Sequence, residues 1–456
     1  MAPAPPSPPP TLEPSSSPLP LSTLRIAIIG AGMAGLATAL ALAGAGFTEI
    51  DVYESAPGIE FVGAGIQIAA NLSKQLENLG VWERMQAEVV ETREVSIRGG
   101  YTDEELSYVD LRHNTARYGR PHRVAHRSAL ANALYEGCLK FNGRVKFHFQ
   151  TSVLGIDLNS ALTPRILIRE GKDTRWIDQV DLVLGADGVK SVVRASMLAQ
   201  HGEQDKTKDT GEAAYRIMIN REKLSTDPDL LALLDGNCTS RWVAAGCQII
   251  AYPISSHNIL NIVTTQPDTN FASAPTASWT TRGSKSAMQS VFADFCPRIR
   301  RLLSLVPEGE VCEWKLRVHA PLKTWVDGCV ALLGDACHPA LPHLGQGAAQ
   351  AIEDGVVLAF VLSKLTRDTD VPLGLKVYEH LRKQRAERLV EEAESAGRNL
   401  MLADSKAQAA RDEALRRVKN GGENPDKWVD RAVTDYIYGF DCLKDAEERF
   451  AGLMGI

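Results

Sequence analysis

The chain has 456 residues, 44% of them hydrophobic and 23% charged, with a formal net charge of −6. That balance is ordinary for a globular protein of two or three domains, and it lacks the basic footprint of a nucleic-acid binder. Eight scattered cysteines with no CxxC pair argue against a disulfide scaffold and suit a reducing compartment.

Residues 1–22 are dominated by Pro and Ser without the basic and apolar regions of a secretory signal, so a disordered tail is expected there. From Leu24 an apolar strand runs into Gly30-Ala31-Gly32-Met33-Ala34-Gly35 and an apolar helix, and Glu54 closes the next apolar run. Length alone would let residues 26–46 cross a bilayer, but Gly30, Gly32, Gly35, Gly44 and Gly46 are better explained by strand, turn and helix. Gly30 allows a tight turn, Gly32 lets backbone amides approach a pyrophosphate, and Gly35 lets the helix pack closely on the sheet. The N-terminus of that helix favours phosphate charge. Glu54 stands near the spacing of ~20 residues at which an acid reaches a ribose hydroxyl. It would repel a 2′-phosphate, so FAD or NAD suits the site better than NADP.

Helical spacing of Leu72, Leu76, Leu79 and Trp82 predicts a helix over 70–85. Strands are expected over 94–98 and 105–110, a helix over 127–141, and consecutive strands over 145–149, 153–158 and 165–169 that lead to a buried strand over 181–184. Gly185-Ala186-Asp187-Gly188 follows, and Asp187 can cap the next helix. Between about Gly211 and Leu322, strands over 248–253 and 259–264 and one helix over 284–305 suggest an inserted domain. The nucleotide fold returns at Val330-Ala331-Leu332-Leu333-Gly334-Asp335. At that strand end the Asp335 carboxylate can accept hydrogen bonds from a polyol chain. In Pro342-His343-Leu344-Gly345-Gln346-Gly347 the glycines leave the backbone bare against a flat ring and begin a helix, whose N-terminus would stabilise negative charge on a ring edge. Cys337, His338 and His343 complete no recognised ligand spacing, so no metal is expected. Pro372 can start a helical segment reaching about Lys419, its last part a solvated face. Beyond about Leu400 packing is the default reading. Apart from the first apolar helix no uncharged run is long enough to span a membrane, and a cytoplasmic location is expected.

Taken in this order, the three glycine-bearing signals resemble the single-component FAD-dependent aromatic hydroxylases, which include para-hydroxybenzoate and salicylate hydroxylases. The resemblance covers Leu24 to about Val390. It implies an α/β fold: a Rossmann-like, para-hydroxybenzoate hydroxylase-like FAD-binding domain with an inserted sheet-containing substrate domain and C-terminal helices. The expected division is FAD-binding parts over 23–93, 120–205 and 325–400, substrate-domain parts over 94–119 and 206–324, and a helical segment over 401–456. By the resemblance Gly30, Gly32, Gly35 and Glu54 hold the ADP half of non-covalent FAD, Asp187 serves FAD and NAD(P)H, Asp335 binds the ribitol, and Arg127 contacts FAD. Ala34, Gly65, Pro342, Gly345, Gly347 and Ala348 complete the expected cofactor-binding set. Lack of a second GxGxxG domain fits transient use of NAD(P)H.

Closer still, the chain resembles fungal salicylate hydroxylase-like proteins and hydroxylases that dearomatise polyketide phenols. In the latter an aromatic-Arg pair and a Tyr-Pro pair hold a substrate phenolate, which points to Tyr215-Arg216 and Tyr252-Pro253. Arg216 as a strand arginine paired to an acid such as Glu222, and Tyr252 as a plain sheet residue, are the competing readings. A flavin peroxide is too weak an electrophile for an unactivated ring, so with a phenol pKa of ~10 a cation such as Arg216 that stabilises phenolate supplies the missing reactivity. Hydroxylation of a phenolic ring with NAD(P)H and O2 is the expectation. The alternatives are epoxidation or indole oxidation, and an FAD-holding regulatory protein without turnover. A homodimer is left open.

Overall fold

The computed structural model describes residues 21–59, 64–158, 163–271, 280–282, 284–309, 311–418 and 424–455. Of the expected tail, residues 1–20 lie outside the described residues. Leu21 and Ser22 belong to a short 3-10 turn, and the Ser22 carbonyl accepts both the amide and the hydroxyl of Thr48.

Ile26, Ala27, Ile28 and Ile29 are all buried, the signature of a parallel strand covered on both faces. Their strand, Arg25–Ile29, lies between Glu49–Tyr53 and Leu182–Gly185 and runs parallel to both. Val145–His148 extends the sheet beyond Glu49–Tyr53, while Val330–Leu332 and Val326–Asp327 extend it beyond Leu182–Gly185. Neighbours on both sides make Arg25–Ile29 the point where the winding reverses, and a crevice opens beyond the carboxyl ends of such strands.

A second sheet of eight strands joins Glu94–Gly99 and Glu105–Asp110 to strands drawn from Thr207 to His319. Alternation sets its two faces. Tyr215, Ile217, Ile249, Ala251, Leu260 and Ile262 pack in one core with Phe292, Ile299 and Leu302 of the helical layer. Their strand neighbours Arg216, Gln248, Tyr252 and Val263 therefore face the other way. The helix Gly347–Ser363 packs against Met33–Gly44 and, in turn, against Val371–Leu400. Among the described residues no helix is long and apolar enough to cross a membrane.

Several expected elements differ. The helix over 70–85 is two, Ala70–Asn78 and Trp82–Met85, because Gly80 turns left-handed at φ +67°. The helix over 284–305 is also two, Lys285–Val291 and Pro297–Ser304, since Pro297 lacks the amide that would continue the first and instead starts the second. The segment from Pro372 breaks after Leu400 and resumes as Ser405–Arg417 under an Asp404 cap. Nor are the strands after 145 one series. Val145–His148 joins the first sheet, whereas Thr151–Asp157 and Arg165–Glu170 form a separate sheet with Asp173–Ile177, a strand the sequence reading did not contain.

Candidate active site

The first glycine turn is built by backbone. Gly30 has φ +99°, and a Cβ there would lie 2.6 Å from the Ala186 carbonyl oxygen. One on Gly35 would fall directly on the Gly30 carbonyl oxygen, so the close approach of turn and helix requires glycine at both positions. At Gly32 a Cβ would meet nothing within 4 Å. Gly32 caps Met33–Gly44 without a side-chain hydrogen bond, so the first amides of that helix face open space with the polarity that suits an anion. Glu54 accepts the amides of Ala31 at 2.9 Å and Ala56 at 2.8 Å, tying the second strand to this turn.

The second glycine-bearing segment follows Leu182–Gly185. Asp187 accepts the amides of Val192 at 2.7 Å and Val193 at 3.2 Å, capping Val192–Gln200 together with Ser191. Burial pushes its pKa up, against the pull of Ser191 and these amides.

A cavity of about 320 Å³ opens where the two sheets meet. Gly32 and Ala34 line it from the first turn, Gly65 from the strand Gly65–Ile68, Arg127 from the start of the helix Arg127–Leu139, and Asp335 from the turn after the returning strand. Pro342, Gly345, Gly347 and Ala348 line it from the loop and first turn of Gly347–Ser363. Arg216 and Tyr252 line it from the second sheet. Gly30, Gly35, Glu54 and Asp187 do not line it and stand behind the loops that do.

Strand register brings the last pair together. Arg216 is opposite Val263, which is opposite Ile250, and Tyr252 is two residues along the same face. Arg216 lies over the Trp314 ring at 4.9 Å, and no acid pairs with it among the described residues, Glu222 included. Burial and the nearby Arg127 lower its pKa, while Tyr252, Cys312 and Asp335 oppose them. Burial also lowers Arg127, with Asp335 opposing. Burial raises Tyr252, with Arg216 opposing. Two guanidinium groups against one carboxylate make the cavity favourable to an anion.

Three features suit an extended dinucleotide with a flat ring. Open ground lies before the uncapped first helix. Gln67 Oε1 has no hydrogen-bond partner among the described residues. At Gly345, φ +62°, a Cβ would stand 2.8 Å from that same oxygen, so only a bare backbone leaves the loop room. Gln67, Gln248 and Thr265 line the cavity but were not expected to, although polar residues on an otherwise apolar strand face were the available signal. His343, which completes no metal-ligand spacing, also lines it. Cys337, His338 and Asp354 bring ligand atoms within 4.8 Å of one another. His338 Nε2 is bound to Asp354 Oδ2 at 2.6 Å, however, and that oxygen also accepts the Gly334 amide at 2.9 Å, so the group serves to hold the Gly334-Asp335 turn.

Residues 23–393 match a family described as an FAD binding domain. FAD-dependent monooxygenase atnJ of Arthrinium sp is 32% identical, over 96% of this chain and 99% of its own. A 3-hydroxybenzoate 6-hydroxylase of Polaromonas naphthalenivorans is 30% identical, over 92% of this chain and 98% of its own. Among solved structures, a salicylate hydroxylase substrate complex superposes with a TM-score of 0.74 at 23% identity, covering 93% of this chain and 98% of that one. CtdE in complex with FAD and substrate does so at 0.77 and 20% identity, covering 95% and 99%.

Proposed function

The chain belongs to the FAD binding domain family and is an FAD-dependent monooxygenase, and from that premise we propose that it hydroxylates a phenolic ring using NAD(P)H and O2. The observation that carries this reading is the single cavity in which Arg216 and Tyr252 share space with Arg127, Asp335 and the bare backbone at Gly345. When bound, FAD supplies the reduction of O2 that yields an electrophilic oxygen.

In this reading Gly32 and the first amides of Met33–Gly44 take the pyrophosphate, Glu54 the ribose and Asp335 the ribitol. Arg127 contacts the cofactor, and Gly345 with Gly347 and Ala348 lies against its flat ring. Asp187 supports the floor by capping the helix behind it. Arg216 holds the substrate oxygen as phenolate, each pKa unit gained being worth ~1.4 kcal/mol. Tyr252 donates its hydroxyl to the same oxygen. The apolar strand face around them, with Ile250 and Val263, keeps water from the reacting atoms. A relative named for 3-hydroxybenzoate supports small hydroxylated aromatic acids as the first substrates to try.

The test is flavin reduction followed without oxygen across a panel of phenols, then admission of O2 and product mass. A product heavier by one oxygen atom, coupled to NAD(P)H oxidation, is the expected result. Arg216→Ala should keep its flavin colour while losing turnover on the order of 10²-fold, the scale of one lost charge contact at a reacting oxygen. An unchanged rate on a verified substrate removes Arg216 from the site.

A further inference from the structure

A buried polar chain runs from the C-terminal segment to the cavity wall. Both carboxylate oxygens of Asp426 accept Arg241 Nη1, at 3.0 and 2.9 Å. Arg241 Nε donates to Gln248 Oε1 at 2.8 Å. Gln248 Nε2 lies 3.2 Å from Thr265 Oγ1 and 3.0 Å from His343 Nδ1, and His343 Nε2 lies 3.3 Å from Glu212 Oε2. Asp426, Arg241, Gln248 and His343 are buried, while Glu212 is partly exposed.

Only one arrangement of protons satisfies every link. A guanidinium donates and never accepts, so Gln248 must turn its carbonyl toward Arg241 and its amino group toward His343. Facing a donor, Nδ1 accepts, and the ring proton sits on Nε2, where the Glu212 carboxylate accepts it. Gly397 leaves the ring its seat: a Cβ there would lie 2.6 Å from both Cδ2 and Nε2.

We propose that Asp426 is a positioning residue which, through Arg241 and Gln248, fixes His343 as the Nε2–H tautomer and so sets the hydrogen bonding of this cavity wall. With both ring nitrogens committed, His343 offers an aromatic substrate neither a lone pair nor a spare N–H. The phenolic oxygen is then left to Arg216 and Tyr252, a consequence that rests on the function proposed above. The C-terminal segment thereby acts on selectivity without touching the ligand.

Nitrogen NMR of the FAD-loaded protein with labelled histidine separates the two tautomers, and loss of one signal set in His343→Gln assigns it. Wild type should show Nε2–H at His343. Asp426→Asn keeps the shape but leaves one acceptor oxygen where Arg241 Nη1 now meets two, so Arg241 is held less firmly against Gln248 and His343 should shift toward a mixture of tautomers at undiminished flavin content. Gln248→Glu, with Asp426 intact, sets an acceptor opposite Nδ1 and should move the proton there. If Asp426→Asn fails to hold FAD, Asp426→Glu, which keeps the charge but displaces the carboxylate from Arg241, takes its place. An Nδ1–H tautomer in wild type, unaltered His343 signals in a flavin-loaded Asp426 variant, or unaltered His343 signals in Gln248→Glu overturns the proposal. These signals need no substrate, so a wrong substrate class fails separately, in the product assay.

Discussion

His122 is buried, and neither ring nitrogen has a hydrogen-bond partner among the described residues. Its ring meets Trp428 edge-on at 5.7 Å and Tyr438 at 5.8 Å, against the same segment that carries Asp426. Burial lowers its pKa to about 4. An unfolded histidine titrates near ~6.5, so between those values the unfolded chain binds the proton and the folded one does not. Stability is therefore complete above the unfolded pKa and is lost as pH falls toward 4, by roughly 3 kcal/mol at most from this group. Urea midpoints measured from pH 7.5 down to pH 5 should fall for wild type and fall less for His122→Phe. Parallel slopes would show that His122 does not drive the loss.

At the scale of elements, legibility follows how local the cause is. The first turn is readable because the positive φ of Gly30 and the approach of Gly35 to the Gly30 carbonyl both arise within one strand-turn-helix, although Gly30 also faces the distant Ala186 carbonyl, and the Gly334-Asp335 turn is readable because it ends a strand of continuous apolar residues. Hydrophobic spacing ran through Gly80 and Pro297, and those breaks were lost because periodicity outweighed a single residue. Partners of Val145–His148, and the meeting of Gln248, His343 and Asp426, depend on pairings between distant segments that no local pattern encodes. The strand Gly65–Ile68 is another case: Gly65 donates its amide to Asn261 Oδ1 at 2.6 Å, and a Cβ on it would lie 2.5 Å from the Tyr252 ring. Gly65→Ala should therefore overpack this crossing at a cost of ~1–3 kcal/mol. Adding Tyr252→Ala removes the ring clash but leaves Asn261 Cγ 2.8 Å from the new Cβ, so the double variant should be less destabilised than the sum of the two single variants. Strictly additive losses in urea unfolding would show that the two positions do not meet.

For the whole molecule, the cavity loop and the C-terminal helices are joined through buried charge. Arg382 on the long helix Val371–Leu400 donates to Asp354 at 2.9 Å, to Glu353 at 2.8 Å and to the Gln350 side chain at 2.7 Å. Arg385, one turn on, donates to Glu353 at 3.0 Å and to the carbonyls of Tyr436 and Ile437 at 3.0 and 3.2 Å. Asp354 in turn holds the Gly334 amide and His338. Burial works to raise the pKa of Asp354, but His338 and Arg382 overcome it and hold it at about 2. Glu353 is likewise lowered, with Arg385 and Arg382 overcoming its burial. Both carboxylates thus add stability above the unfolded carboxylate range and lose it as pH falls through their folded values. Arg382→Met keeps the bulk and removes the charge that balances two buried carboxylates, which should cost about 3–5 kcal/mol. Without it those carboxylates titrate higher, so protonation relieves the defect. The loss relative to wild type should be larger at pH 8 than at pH 5, and the variant should release flavin more readily at the higher pH, because the Gly334-Asp335 turn hangs from Asp354. Equal destabilisation at both pH values would mean that Arg382 acts by packing and that its charge does not steady the cavity loop.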